Sequence, residues 1–286
     1  MDRPPFGLLL DVDGPVASPV TRTVAPPLLA DLRALLGAGV PVVLNTDRSD
    51  AFVTERILEP LIAAGLPAGA RLHAICEKGA VWTTAHHVGA GEVHIDPDLT
   101  VPAVCQVLVR DLVRDGYGDA MFVDDTKRTM ATVEARTDVL PDRYAERQRS
   151  FDADLVAGLA AAGLGLRIGD RDLPDAEGRT PWRVDPSVIA TDVQSVDAGK
   201  ALGARRALEL LVGDGPLPRT WHTIGDSRTD YAMADQLHAL GHDVVHVDVS
   251  SHPPRSDKPY PIRTVAGLID DAAGAAYVRA LARRLV

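Results

Sequence analysis

Cysteine is nearly missing from this chain. Cys76 and Cys105 are the only two in 286 residues. That is too few for a disulfide framework and fits a reduced, cytoplasmic setting. An excess of positive charge is missing as well. The net charge is −10, which argues against a nucleic-acid partner, because a phosphate backbone needs basic surface. No window approaches the roughly 18 consecutive apolar residues of a membrane span, so no membrane partner is expected. The opening MDRPPFG is too short in apolar residues for a secretory h-region. Lysine is scarce: it occurs only at 78, 127, 200 and 258, which makes each one worth inspecting. Internal repeats and low-complexity tracts are absent.

What remains is ordinary globular material, 46% hydrophobic and 24% charged. The length suits one large domain or two modest ones. The organising stretch is Gly7–Pro15, GLLLDVDGP. Its short apolar run, closed by Gly14 and Pro15, reads as a buried parallel strand. Asp11 and Asp13 lie two apart, so in an extended chain they emerge on the same side. They do so at the carboxyl end of a strand, where open α/β sheets bind ligands. Two clustered acids there need a cation or a hydrogen-bond network.

Val16–Val24 is polar and suits a mobile flap. Pro26 and Pro27 start a helix carrying Leu28, Leu29, Leu32, Leu35 and Leu36. Val40–Leu44 is a second strand, ending in Asn45-Thr46-Asp47-Arg48, and the next helix is kinked or split by Pro60. Leu72–Cys76 is a third strand, followed by the turn Glu77–Ala80. Strands and helices alternating at this spacing predict a doubly wound parallel sheet. From about 85 the pattern changes. A Gly/His-rich connector, a helical stripe from Val101 to Leu112, and the alternation of Thr129–Arg136 predict an antiparallel sheet with one wet face. A helix over 141–162 and strands near Leu164–Ile168 and Trp182–Val184 follow. Residues 85–190 thus read as an inserted α+β domain within an α/β core of 1–84 and 191–286. The core resumes with Lys200 at a helix start, then a strand Trp221–Ile224 ending in Gly225-Asp226-Ser227-Arg228-Thr229-Asp230. The strand Val244–Val249 and terminal helices over 265–285 complete it.

Four motifs, DVDG at 11–14, Thr46, Lys200 and GDSRTD at 225–230, stand in this order at predicted strand ends or helix starts. Together they resemble the haloacid dehalogenase superfamily of phosphotransferases. The long insertion between the second and third motifs is similar to the cap of the branch holding the Cof-type, sucrose-phosphate and trehalose-phosphate phosphatases and phosphomannomutase. The resemblance implies that Asp11 is a nucleophile forming an aspartyl phosphate. It implies that Asp13 is the general acid and base, and that Thr46 and Lys200 bind the phosphoryl oxygens. Mg²⁺ would be held by Asp11, the Asp13 backbone carbonyl and Asp226, with Asp230 behind them orienting a bound water or Lys200. An acid at position 13 fits ester hydrolysis or phosphomutase chemistry rather than dehalogenation. Pro15 departs from the family, which has Thr or another β-branched residue there; any backbone donor used at that place is lost.

Singly these residues would mean little, since carboxylates often cap helices and lysines are usually solvated. Their joint order carries the reading: a Mg²⁺-dependent phosphatase acting on a small phosphorylated metabolite, with a sugar phosphate implied by the branch alone. The alternatives are a phosphomutase and a non-catalytic phospho-ligand binder, the latter encouraged only by Pro15. Lys78 is a candidate substrate-binding residue, its ordinary reading being a solvated turn lysine. His86, His87 and His94 read as connector residues, Cys76 and Cys105 as core, and His246 with Asp248 as a structural hydrogen bond at most. Most cap arginines read as surface charges.

Overall fold

The computed structural model describes residues 3–285. The strands are β1 (Gly7–Leu10), β2 (Val42–Asn45), β3 (Leu72–Cys76), β4 (Val81–His86), β5 (Gly89–Ala90), β6 (His94–Ile95), β7 (Met121–Val123), β8 (Ala131–Ala135), β9 (Leu166–Ile168), β10 (Arg171–Leu173), β11 (Trp182–Pro186), β12 (Ala190–Ser195), β13 (Thr220–Gly225), β14 (Asp243–Asp248) and β15 (Ile262–Arg263). The helices are α1 (Pro26–Gly37), α2 (Asp50–Val53), α3 (Glu59–Ala63), α4 (Ala103–Leu112), α5 (Pro141–Ala161), α6 (Lys200–Asp214), α7 (Tyr231–Ala239) and α8 (Asp270–Leu285). A π-type turn over Thr54–Leu58 separates α2 from α3, just before Pro60. The chain forms two compact units, one up to His94 and again from Gly199, the other Ile95–Ala198.

In the first unit the sheet order is β15-β14-β13-β1-β2-β3-β4-β5. The pairings from β15 through β3 are parallel, and β4 returns antiparallel at the edge. This is the doubly wound α/β class. Alternation along β1 sets the two faces. Leu8 and Leu10 pack with α1, α3 and α8 through Leu28, Leu32, Leu61, Ala273 and Val278. Leu9 points the other way, into Ala204, Leu208, Leu211, Met233 and Leu237 of α6 and α7. Each of these fully buried leucines contributes about 1.5–3 kcal/mol by leaving water. Burial on both faces is why β1 reads as a continuous apolar run.

In the second unit a mostly antiparallel sheet of order β10-β9-β11-β12-β8-β7 packs on α4 and α5. Cys105 and Val109 of α4, and Tyr144, Phe151 and Leu155 of α5, meet Val133, Val184 and Val193. Two expectations are revised. The changeovers lie later than 84/85 and 190/191, because the strand at 190–195 pairs with β8 and β11 rather than opening the core again. Its sequence ATDVQS is too polar to announce a buried strand. The supposed wet side of β8 is also buried: Thr132 and Glu134 are 1% and 5% exposed, and Thr132 donates to Asp192 Oδ1 at 2.7 Å. Within Val16–Val24, Ala17 bridges to Asp13 and to Val24.

Candidate active site

The carboxyl ends of β1, β2 and β13 and the first residue of α6 bring the motif residues together. Asp11 follows β1 and is 7% exposed. Its Oδ1 accepts from the Val12 amide at 2.6 Å and lies 2.5 Å from Lys200 Nζ. Lys200 Nζ also donates to the Asn45 carbonyl at 2.9 Å and lies 3.1 Å from Asp230 Oδ1. Asn45 returns the contact, donating from Nδ2 to the Lys200 carbonyl at 2.9 Å. Gly203, one turn into α6, allows this: a Cβ there would overlap the Asn45 amide.

Asp226 and Asp230 enter from the loop after β13. Asp230 is fully buried, and its Oδ2 accepts from Ser227 N at 2.9 Å and Ser227 Oγ at 2.7 Å. Gly14 has φ +86°, and a Cβ on it would stand 2.5 Å from the Asp226 carboxylate. The turn after Asp13 therefore needs glycine twice, for its left-handed backbone and for the approach of Asp226. Carboxylate oxygens of Asp11, Asp226 and Asp230 all fall within 4.8 Å of one another.

This crowding shows in the protonation behaviour. Burial first, then the charge of Asp230, pushes Asp11 well above the ordinary carboxylate range, with Lys200 opposing. Burial and Asp230 likewise push Asp226 up to about 7. Burial alone would lower Lys200, but Asp11, Asp230 and Asp47 together raise it, so it stays charged. Three carboxylates short of compensating charge, all oxygen donors, fit a hard divalent cation such as Mg²⁺.

Asp13 turns to a different partner. Arg48 Nε and Nη2 grip its Oδ2 and Oδ1 at 2.8 and 3.1 Å, while Asp11 faces Lys200. Thr46 is fully buried. Its Oγ1 accepts from Arg48 N at 3.1 Å, which leaves the hydroxyl hydrogen to donate elsewhere. Sequence reasoning passed over Arg48 and Asp47. The available signal was their place beside Thr46 at a strand end. Lys78 is not a solvated turn lysine: it is 8% exposed, with Nζ 3.6 Å from Asp47 Oδ2.

The other singled-out residues lie apart from this cluster. His86, His87 and His94 are exposed, and His94 stacks on Trp82. Cys76 and Cys105 are buried and free. His246 and Asp248 do not bond each other: His246 Nδ1 pairs with Thr223 Oγ1 at 2.8 Å, and Asp248 accepts from Tyr231 at 2.5 Å. Arg136, Arg143, Arg147, Arg167 and Arg179 sit in pairs with nearby acids. The Pro-containing turn forms without a Pro15 donor, since Gly14 N bonds Ala17 O, and Val16 N and Ala17 N bond Val12 O. No helix among the described residues is long and apolar enough to cross a membrane.

No family model matches the sequence, and no curated protein matches it. Solved structures do match in fold. A haloacid dehalogenase-like hydrolase from Bacteroides thetaiotaomicron aligns over 96% of this chain and 99% of its own, with TM-score 0.60 and 12% identity. A Thermoplasma acidophilum protein aligns over 98% and 97%, with TM-score 0.57 and 12% identity. An N-terminally truncated IMP-nucleotidase of Plasmodium falciparum aligns over 96% of this chain and 70% of its own, with TM-score 0.55 and 10% identity. Against an ATP-bound form of that nucleotidase the chain spans 54% of the other's length. The chain thus has the fold of haloacid dehalogenase-like hydrolases, with an inserted second unit.

Proposed function

We propose that this chain is a haloacid dehalogenase-type phosphatase that hydrolyses a small phosphorylated metabolite through an aspartyl phosphate on Asp11. The observation that carries the reading is the contact of Asp11 with Lys200 at 2.5 Å beside Asp226 and Asp230. A buried carboxylate bound to a lysine and crowded by two further acids is costly as structure alone, and it suits a nucleophile that must meet a phosphate dianion.

Asp11, Asp226 and Asp230 would hold Mg²⁺, with the Asp13 carbonyl joining them. When bound, the ion supplies positive charge that keeps Asp11 ionised and offsets the charge of the substrate. Lys200 fixes the attacking carboxylate and, with the Thr46 hydroxyl, takes the equatorial phosphoryl oxygens. Asp11 attacks phosphorus as the ester P–O bond breaks, and Asp13 gives its proton to the leaving oxygen. Asp13 then takes a proton from water. That water attacks phosphorus, releasing inorganic phosphate and restoring Asp11. Arg48 pairs with the ionised Asp13 carboxylate, the form that takes the proton from water in the second step. The inserted unit would select the substrate and exclude water. A sugar phosphate is supported by the place of that insertion between the second and third motifs.

The test is phosphate release from a panel of phosphorylated metabolites, with and without Mg²⁺, for wild type and Asp11→Asn. Mg²⁺-dependent release that Asp11→Asn abolishes is the expected result. Release that survives Asp11→Asn, or none from any compound including an aryl phosphate, would refute the reading.

A further inference from the structure

The turn after β3 has three successive left-handed residues: Glu77 at φ +48°, Lys78 at φ +57° and Gly79 at φ +102°. Glycine adopts this region freely, whereas Glu and Lys do so only where the surroundings impose it. The surroundings here are firm. Glu77 N bonds the Arg48 carbonyl and Lys78 N the Thr46 carbonyl, both at 3.0 Å. On the other side Gly199 N bonds the Lys78 carbonyl at 2.7 Å, and Arg206 donates to the Gly79 carbonyl at 2.6 Å. Gly79 sits so close to α6 that a Cβ would press on Leu202. The turn therefore joins the β2 strand end to the start of α6, the two segments that carry Thr46 and Lys200.

Turn geometry does not account for a lysine at its centre, because Asn or Gly would take the same backbone with less strain. Its charge does. Lys78 Nζ lies 3.6 Å from Asp47 Oδ2, and Lys200 Nζ lies 3.8 Å from Asp47 Oδ1. One carboxylate thus spans two ammonium groups, the arrangement a phosphoryl group with its several oxygens can also span. With Asp13 carrying the proton it is to donate, Asp11, Asp47, Asp226 and Asp230 oppose Arg48, Lys78 and Lys200 here, so a divalent cation leaves the site only one net positive charge. An incoming dianion then needs every ammonium it can reach.

We propose that Lys78 is a second phosphate-binding lysine, acting with Lys200 on the phosphoryl group, which takes the place between them that Asp47 holds here. The proposal rests on the phosphatase reading. Its test uses the full chain with Mg²⁺, following aryl phosphate hydrolysis, inhibition by inorganic phosphate, and the melting temperature. Lys78→Asn relieves the strained backbone, so it should melt no lower than wild type. It should nonetheless weaken phosphate inhibition roughly 10- to 100-fold, with KM rising more than kcat falls. Asp47→Asn removes the competing carboxylate and should tighten phosphate inhibition several-fold. A folded Lys78→Asn inhibited like wild type, or weaker phosphate binding in Asp47→Asn, overturns the role of Lys78 alone. A wild-type protein that neither hydrolyses nor binds phosphate overturns the phosphatase reading, and this inference with it.

Discussion

Replacing Asp226 by Asn should make the metal-free protein more stable, and increasingly so as pH rises. Asp226 is raised from 3.8 to about 7 in the fold, by burial and by Asp230. A carboxylate whose folded value is raised is bound to its proton more tightly in the native state. Its contribution is therefore intact below 3.8 and lost as pH rises through about 7. At pH 8 the gap of roughly three units corresponds to about 4 kcal/mol, and at pH 5 to under about 2 kcal/mol. Asp226 keeps some contact with water, and solvent screening brings these to about 2 and about 1 kcal/mol. Asn removes the charge with little change of shape. Urea unfolding in EDTA, followed by circular dichroism at both pH values, should show the variant ahead by those amounts. In Mg²⁺ the order should invert at pH 8, because the ion stabilises only a chain that can bind it. An Asp226→Asn protein less stable than wild type in EDTA at pH 8, or an advantage independent of pH, would refute the account of a crowded cation site.

Three further outcomes follow from the packing. Gly203→Ala should cost about 1–3 kcal/mol in urea unfolding and lower the hydrolysis rate, since its Cβ would drive Asn45 off Lys200. On the proposed mechanism, Arg48→Met should lower kcat more than it raises KM, because it frees the Asp13 carboxylate without touching Thr46 Oγ1 or Lys200. His246 and His222 are each lowered to about 4 by burial. Each stays neutral in the fold, so the stability it contributes falls as pH drops from the ordinary 6.5 towards 4. Melting curves between pH 7 and 4.5 in Mg²⁺ should show a loss of about 2–3 kcal/mol for each histidine, and His246→Gln should reduce that slope.

The parts of the fold legible in the sequence are those where one physical signal dominates. Leu8–Leu10 and Leu72–Cys76 are apolar runs closed by turns, and both are strands of the core sheet. Gly14 was legible as a turn signal, but neither it nor Gly225 was legible as the space into which Asp226 and Asp230 fit. The second sheet was harder. Thr132, Glu134, Asp192 and Gln194 are buried polar residues, and polarity normally signals water. What hides them is pairing across strands, which no local window contains. The same holds at the site. Asp11 and Asp13 look equivalent in DVDG, yet the residues that distinguish them, Lys200 and Arg48, sit 189 and 35 positions further along the chain respectively.

The position of β1 between β13 and β2 carries a consequence for biosynthesis. The strand that leads to Asp11 leaves the ribosome more than 200 residues before one of its two neighbours is made. The turn behind it waits longer still, since the Pro15 carbonyl seats against Gly274 of α8. Contacts of such span form late and cost loop entropy before they stabilise anything. A nascent chain can therefore display Asp11 and Asp13 through more than 200 residues of synthesis without the cluster to place them in, which assembles only with closure of the sheet.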